Sequence, residues 1–205
     1  MSSQWLTWAK QIQSTAQAGL SFSKDKYDLE RYRELLKLSA EILSTYTNTE
    51  MEEIRDLFLQ EKGYQTPKID VRAVVFQDDK ILLVQEKVDH SWALPGGFAD
   101  VGNSLVENVV RELEEETGFQ GFYKRLLAVL DYQKHPHPPQ PFHYYKCFIE
   151  CSIRGEAASE TLETSDVQFF PLDRLPKLSK ARNTASQIAM LFEFLNDPDK
   201  LPIVD

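Results

Sequence analysis

The sequence predicts an α+β chain: a small all-helical unit over residues 1–65, then a domain of strands and two helices over residues 66–205. Three observations predict it. Up to Gly63 the apolar residues recur at helical spacing only. Beyond Thr66-Pro67, runs rich in Val, Ile, Leu and Phe are separated by turn residues. Within that second region, Ser104 to Gly118 returns to the helical period.

In order, residues 3–18 read as a helix ending at Gly19, residues 26–46 as a second, and residues 49–62 as a third ending at Gly63. Thr49 and Glu52 offer the third a capping box. Leu29, Tyr32, Leu35, Leu36, Ile42 and Leu43 make a wide apolar stripe on the second helix. With Trp5 and Trp8 this is more apolar surface than so small a unit buries alone. A homodimer packed through this unit is therefore expected, the alternative being docking on its own second domain. Next, Ile69–Gln77 and Lys80–Lys87 read as a hairpin turned by Asp78-Asp79. Strands follow at about Tyr123–Gln133, Phe142–Ile153 and Val167–Phe170, then a closing helix over about 180–196.

Net charge −9 and a pI near 5.0 argue against a DNA-binding surface, which needs a basic stripe. Cys147 and Cys151, four apart on one strand, are too far apart for a disulfide and read as buried thiols of a reducing cytoplasm. No apolar run approaches the ~18 residues of a membrane span.

The chemistry concentrates in PGGFADVGNSLVENVVRELEEETGF, Pro95 to Phe119. Ser104 and Glu107 form a capping box, and Gly118 supplies a left-handed stop. On the helix between them Glu112, Glu115 and Glu116 stand at i, i+3 and i+4 and share a face. Like charges about 5 Å apart repel by roughly 3 kcal/mol at an effective dielectric near 20. A hard divalent cation resolves that conflict; a solvated acidic face is the plain alternative. Pro95-Gly96-Gly97, just upstream, suits a loop that brings backbone close to a phosphate.

From Gly97 the chain resembles the Nudix box, G-x5-E-x7-R-E-U-x-E-E-x-G-U with U a bulky apolar residue. Gly97, Arg111, Glu112, Leu113, Glu115, Glu116, Gly118 and Phe119 all match, and the single departure is Asn103, at the place of the first glutamate. The resemblance implies an α/β/α sandwich around a mixed sheet. It also implies a hydrolase that splits a nucleoside diphosphate linked to a group X (ADP-ribose, or a UDP- or CDP-linked compound), with Mg²⁺ or Mn²⁺ as cofactor. The small helical unit likewise resembles that of a subgroup acting on such substrates. By the same resemblance Glu112, Glu115 and Glu116 hold metal, with Gly96 helping. Arg111 belongs to the catalytic group, and a later-loop glutamate, Glu163 or Glu160, is the candidate to take the proton. Asn103 keeps an acceptor but lacks the charge, and Asp100 is the nearby carboxylate that restores one to the loop.

Substrate contacts are expected outside the box. Arg72 and Trp92 flank strand ends before Pro95, Gly97 sits in the loop, and the proline-stiffened stretch HPHPPQPFHYY contributes His135 and Tyr144. For the tyrosine, core packing is the alternative to stacking on a base, and for the histidine, contact with water rather than phosphate. Two other functions fit the motif less well: a ligand sensor without hydrolysis, and a hydrolase that clears damaged nucleoside triphosphates.

Overall fold

The computed structural model describes residues 4–46, 64–140, 142–158 and 161–205. The chain divides into two compact units, residues 1–67 with 139–143, and residues 68–138 with 144–205.

The first unit holds α1 (Gln4–Phe22) and α2 (Lys26–Tyr46). Asp25 starts α2, its carboxylate accepting from the N–H groups of Tyr27 and Asp28 at 2.9 and 3.0 Å. The expected stop at Gly19 does not occur; α1 runs on to Phe22. A Cβ at residue 19 would lie 2.4 Å from the Tyr32 ring, so this glycine serves the close approach of the two helices. Leu6, Ala9, Ala40 and Leu43 form a small core, and the Ser39 hydroxyl donates to the Ala9 carbonyl across it. Trp5 stacks on Tyr46 at 5.1 Å, whereas Trp8 stays 52% exposed. The predicted third helix, with Thr49 and Glu52, lies outside the described residues.

The second unit runs β1 (Lys68–Val74), β2 (Phe76–Gln77), β3 (Lys80–Glu86), β4 (Trp92–Ala93), α3 (Leu105–Thr117), β5 (Gln120–Asp131), β6 (Tyr144–Arg154), β7 (Thr164–Pro171), α4 (Ala185–Asn196) and β8 (Ile203–Val204). One sheet has the order β1-β6-β5-β8 and is mixed: β1 is parallel to β6, β6 antiparallel to β5, and β5 parallel to β8. In the other, antiparallel sheet, β3 pairs with β7 along one edge and with β2 and then β4 along the other. The strand expected over 69–77 is thus two. The chain breaks at Val75 and passes from one sheet to the other, which a continuous apolar run does not reveal. Asp78 and Asp79 turn the β2–β3 hairpin with φ of 50° and 56°, the signature of a type I′ turn.

Side chains alternate between two cores. Val74, Ile81, Leu83, Leu127 and Phe148 pack with Ile188 and Leu191 of α4. Val71, Ala73, Leu82 and Ile149 pack with Val109 and Leu113 of α3, and both free cysteines are buried there. Helices therefore cover opposite faces of the sheets, as an α/β/α sandwich requires. α4 begins at Ala185, later than expected, with a capping box between Thr184 and Gln187. The residues before it lie along β4 instead: Trp92 donates to the Lys177 carbonyl and Ser179 to that of Trp92. No helix among the described residues is long and apolar enough to cross a membrane.

Candidate active site

The site is built where α3 meets the glycine loop. Ser104 and Glu107 cap each other's backbone, and Gly118, at φ 77°, closes the helix by donating to the Glu114 carbonyl. With Val109 and Leu113 in the core, Glu116 is carried into the interior at 6% exposure, while the carboxylate of Glu112 is partly buried. The loop is fixed as firmly. Val71 donates to the Gly97 carbonyl, Ala73 to that of Pro95 and Ala99 to that of Ile69, so residues 95–99 run along the edge of β1. Gly96, at φ 140°, has no room for a side chain: a Cβ would stand 2.0 Å from the Val71 carbonyl oxygen. Its N–H donates to Glu116 Oε2 at 2.9 Å, joining loop and helix.

Burial pushes the Glu116 carboxyl up to about 8, against the opposing pull of the Arg72 charge and the Gly96 N–H. Glu112 is also raised, chiefly by burial. Arg111 lies among the acids, reaching Asp100 at 2.8 Å, Glu112 at 3.0 Å and Glu115 at 3.2 Å. With Arg111 on two of the glutamates and Gly96 on the third, no three acidic, histidine or cysteine side chains among the described residues stand ready-made as a metal cage. The donor set still fits a hard divalent cation, having three carboxyl groups on one helix face, one of them, Glu116, carried into the interior. Gly97 leaves the approach open, since a Cβ there would come within 3.0 Å of Glu112 Oε2.

A family model described as the NUDIX domain matches residues 66–192. The chain belongs to the Nudix family. A second model, described as a UDP-X-like N-terminal oligomerisation domain, matches residues 3–58. YjhB of Bacillus subtilis, provisionally named as an ADP-ribose pyrophosphatase, is 56% identical over 98% of this chain and 97% of its own length. Among solved structures, one described as a UDP-X diphosphatase covers all of both chains at 36% identity and a TM-score of 0.65. An ADP-ribose pyrophosphatase from Streptococcus suis covers 68% of this chain and all of its own at 42% identity and a TM-score of 0.62. The protein is thus a Nudix hydrolase with a UDP-X-like helical domain before the catalytic one. Nudix hydrolases generally use divalent metal ions.

Within the Nudix domain the other expected site residues are placed unevenly. Glu163 is exposed, and its loop is tied to the end of α3 by the Thr164 hydroxyl, which donates to the Glu116 carbonyl at 2.7 Å. Glu160 lies outside the described residues. Arg72, Trp92 and Tyr144 are all buried, because their strand registers point inward. Arg72 grips Asp70 through two nitrogens at 2.8 and 2.9 Å and donates to the Leu94 carbonyl. Trp92 packs edge-on against Phe170, and Tyr144 lies between Phe98 and Tyr132. His135 pairs with Asp205 at 3.0 Å. His137 stacks on Tyr132 and bonds the Lys180 carbonyl; burial pushes its imidazole down to about 4.

Three features escaped the sequence reading. Lys146, fully buried, pairs with Asp70 at 2.9 Å, and burial pushes its amine down to about 8. Glu86, also buried, meets Arg182 at 2.8 Å and contributes to the field at Glu116. A charged residue at an inward register of an apolar strand was the available signal for both. The third is a cavity of about 950 Å³ whose walls include Asp89, Ser91, Pro136, Pro138, Leu178 and Asn183. The Asn183 carboxamide accepts the Leu94 N–H, so this cavity adjoins the strand that leads into Pro95-Gly96.

Proposed function

We propose that the protein hydrolyses the pyrophosphate of a nucleoside diphosphate linked to X (ADP-ribose, or a UDP- or CDP-linked compound), releasing a nucleoside monophosphate and a phosphorylated X. The observation that carries this reading is the approach of Glu116 to Gly96 and of Glu112 to Gly97, with Glu115 on the same helix. The full-length likeness to YjhB and to the UDP-X diphosphatase supports the substrate class.

Glu112, Glu115 and Glu116, with the backbone at Gly96, would hold Mg²⁺ or Mn²⁺. When bound, the cation would supply Lewis acidity toward the phosphoryl group and water. The backbone at Gly97 orients the diphosphate, as its lack of a side chain permits. Glu163, an exposed carboxylate whose charge acts on Glu112 and Glu86, takes the proton from water. The nucleoside or X end occupies the cavity beside Pro136 and Pro138, whose walls combine apolar and polar side chains. The helical unit makes the homodimer, which the oligomerisation-domain match supports.

A panel of ADP-ribose, UDP-sugars, CDP-alcohols and nucleoside triphosphates with Mg²⁺ or Mn²⁺ tests the reading, with released phosphate measured after phosphatase treatment. Cleavage of at least one X-linked diphosphate, at kcat/KM above that for any triphosphate, is expected. A triphosphate preferred over every X-linked compound would overturn it.

A further inference from the structure

We propose that Asp100 is the positioning residue that holds Arg111 beside the metal-binding helix, in the role that the neutral side chain at 103 does not fill. This rests on the reading of Glu112, Glu115 and Glu116 as metal ligands.

The guanidinium of Arg111 is shared. Nη2 reaches Asp100 Oδ2 at 2.8 Å, Glu112 Oε1 at 3.0 Å and Asn108 Oδ1 at 3.4 Å, and Nη1 reaches Glu115 Oε2 at 3.2 Å. The shortest of these contacts is to Asp100, and Asp100 belongs to the loop rather than to α3. A cation taken up by Glu112 and Glu115 draws on carboxylates that each have one oxygen engaged by the arginine, and so weakens its hold on them. A guanidinium left without a counter-ion would compete with the metal for the same oxygens. Asp100 keeps it paired while the glutamates exchange partners.

The loop is built to hold Asp100 there. Its N–H donates to Asn108 Oδ1 at 2.9 Å, and its carbonyl accepts from Asn108 Nδ2 at 3.4 Å. The same Nδ2 donates to the carbonyls of Asn103 and Ser104 at 3.3 and 3.0 Å. Asn108 is fully buried on α3, so it fastens loop to helix. Asn103 enters this network through its backbone carbonyl, and its carboxamide carries no charge with which to balance an arginine.

The test titrates Mn²⁺ into the full-length protein, reading free Mn²⁺ by electron paramagnetic resonance without substrate. Asp100→Asn is expected to weaken Mn²⁺ binding about tenfold, as loss of a partner behind a metal ligand does. Tm should move by no more than about 2 °C, since the Asp100 side chain is 64% exposed. Asp100→Asn combined with Asn103→Glu should restore affinity to within about threefold of the parent, because a carboxylate returns to the loop by the other position. Affinity within twofold of the parent in Asp100→Asn overturns the proposal. So does a double variant as weak as Asp100→Asn, or a loss of Tm with no change in Mn²⁺ affinity. A parent that binds no Mn²⁺ overturns the metal-site reading and this proposal together, whereas a failed substrate panel leaves this test standing.

Discussion

Glu116 is asked to be both buried and charged. Burial alone favours its protonated form and pushes the carboxyl up to about 8, while the Gly96 N–H and the Arg72 charge favour the anion. A carboxyl whose folded-state pKa exceeds the unfolded value adds stability that is complete below the unfolded pKa and is lost as pH rises through the folded one. The metal-free protein should therefore lose Tm between about pH 5 and pH 8 more steeply than its Glu116→Gln variant. Equal slopes in differential scanning calorimetry would remove Glu116 as the source. The same substitution should lower kcat by at least about 100-fold, as loss of one preorganised electrostatic group does. Activity within threefold of the parent would take Glu116 out of the site.

At the scale of elements, α3 was legible because its determinants are local. Ser104, Glu107, the apolar positions Val109 and Leu113, and Gly118 define its start, face and end without help from the rest of the fold. Gly118 shows how tightly that end is set. Its φ is 77°, and a Cβ there would lie 2.6 Å from the backbone nitrogen of Ala158. Gly118→Ala is expected to cost about 1–3 kcal/mol in urea unfolding; a cost below about 0.5 kcal/mol would show that the 158 segment yields freely. Where partners are distant in sequence, local pattern does not reveal them. Nothing near Val75 says that the chain changes sheets there, because both sheets bury its neighbours. Nor does Arg72 show on its face that it serves Asp70, or Lys146 that it shares the same carboxylate; these charges were legible as residues but not as a buried trio. The site divides in the same way. The glutamates follow from helical spacing, whereas Asp100 as the counter-ion of Arg111 required the loop's path in space.

Across the whole molecule, the helical unit leaves Trp8, Phe22, Tyr27, Leu38 and Tyr46 exposed around a core that, among the described residues, centres on Leu6, Ala9, Ala40 and Leu43. Apolar surface of that kind marks an interface more often than a free surface. Light scattering of the full chain should give a particle of twice the 23.7 kDa chain mass. A monomer at micromolar concentration would sink the homodimer.

The placement of β1 has a kinetic consequence. β5 and β6 are joined across residues 132–143, whereas Asp70 of β1 meets Lys146 of β6 across a separation of 76 residues. Closing the longer loop costs more chain entropy, so β1 is expected to dock late in refolding. The segment carrying Gly96 and Gly97 bonds β1 at Ile69, Val71 and Ala73 and is expected to dock with it. The proposed cation site is therefore expected to be assembled late in folding rather than to template it. In stopped-flow refolding, Mn²⁺ binding should recover with the slowest structural phase, and Mn²⁺ added at the outset should leave that phase unchanged; a cation that accelerates it would mean that helix and loop meet before β1 does.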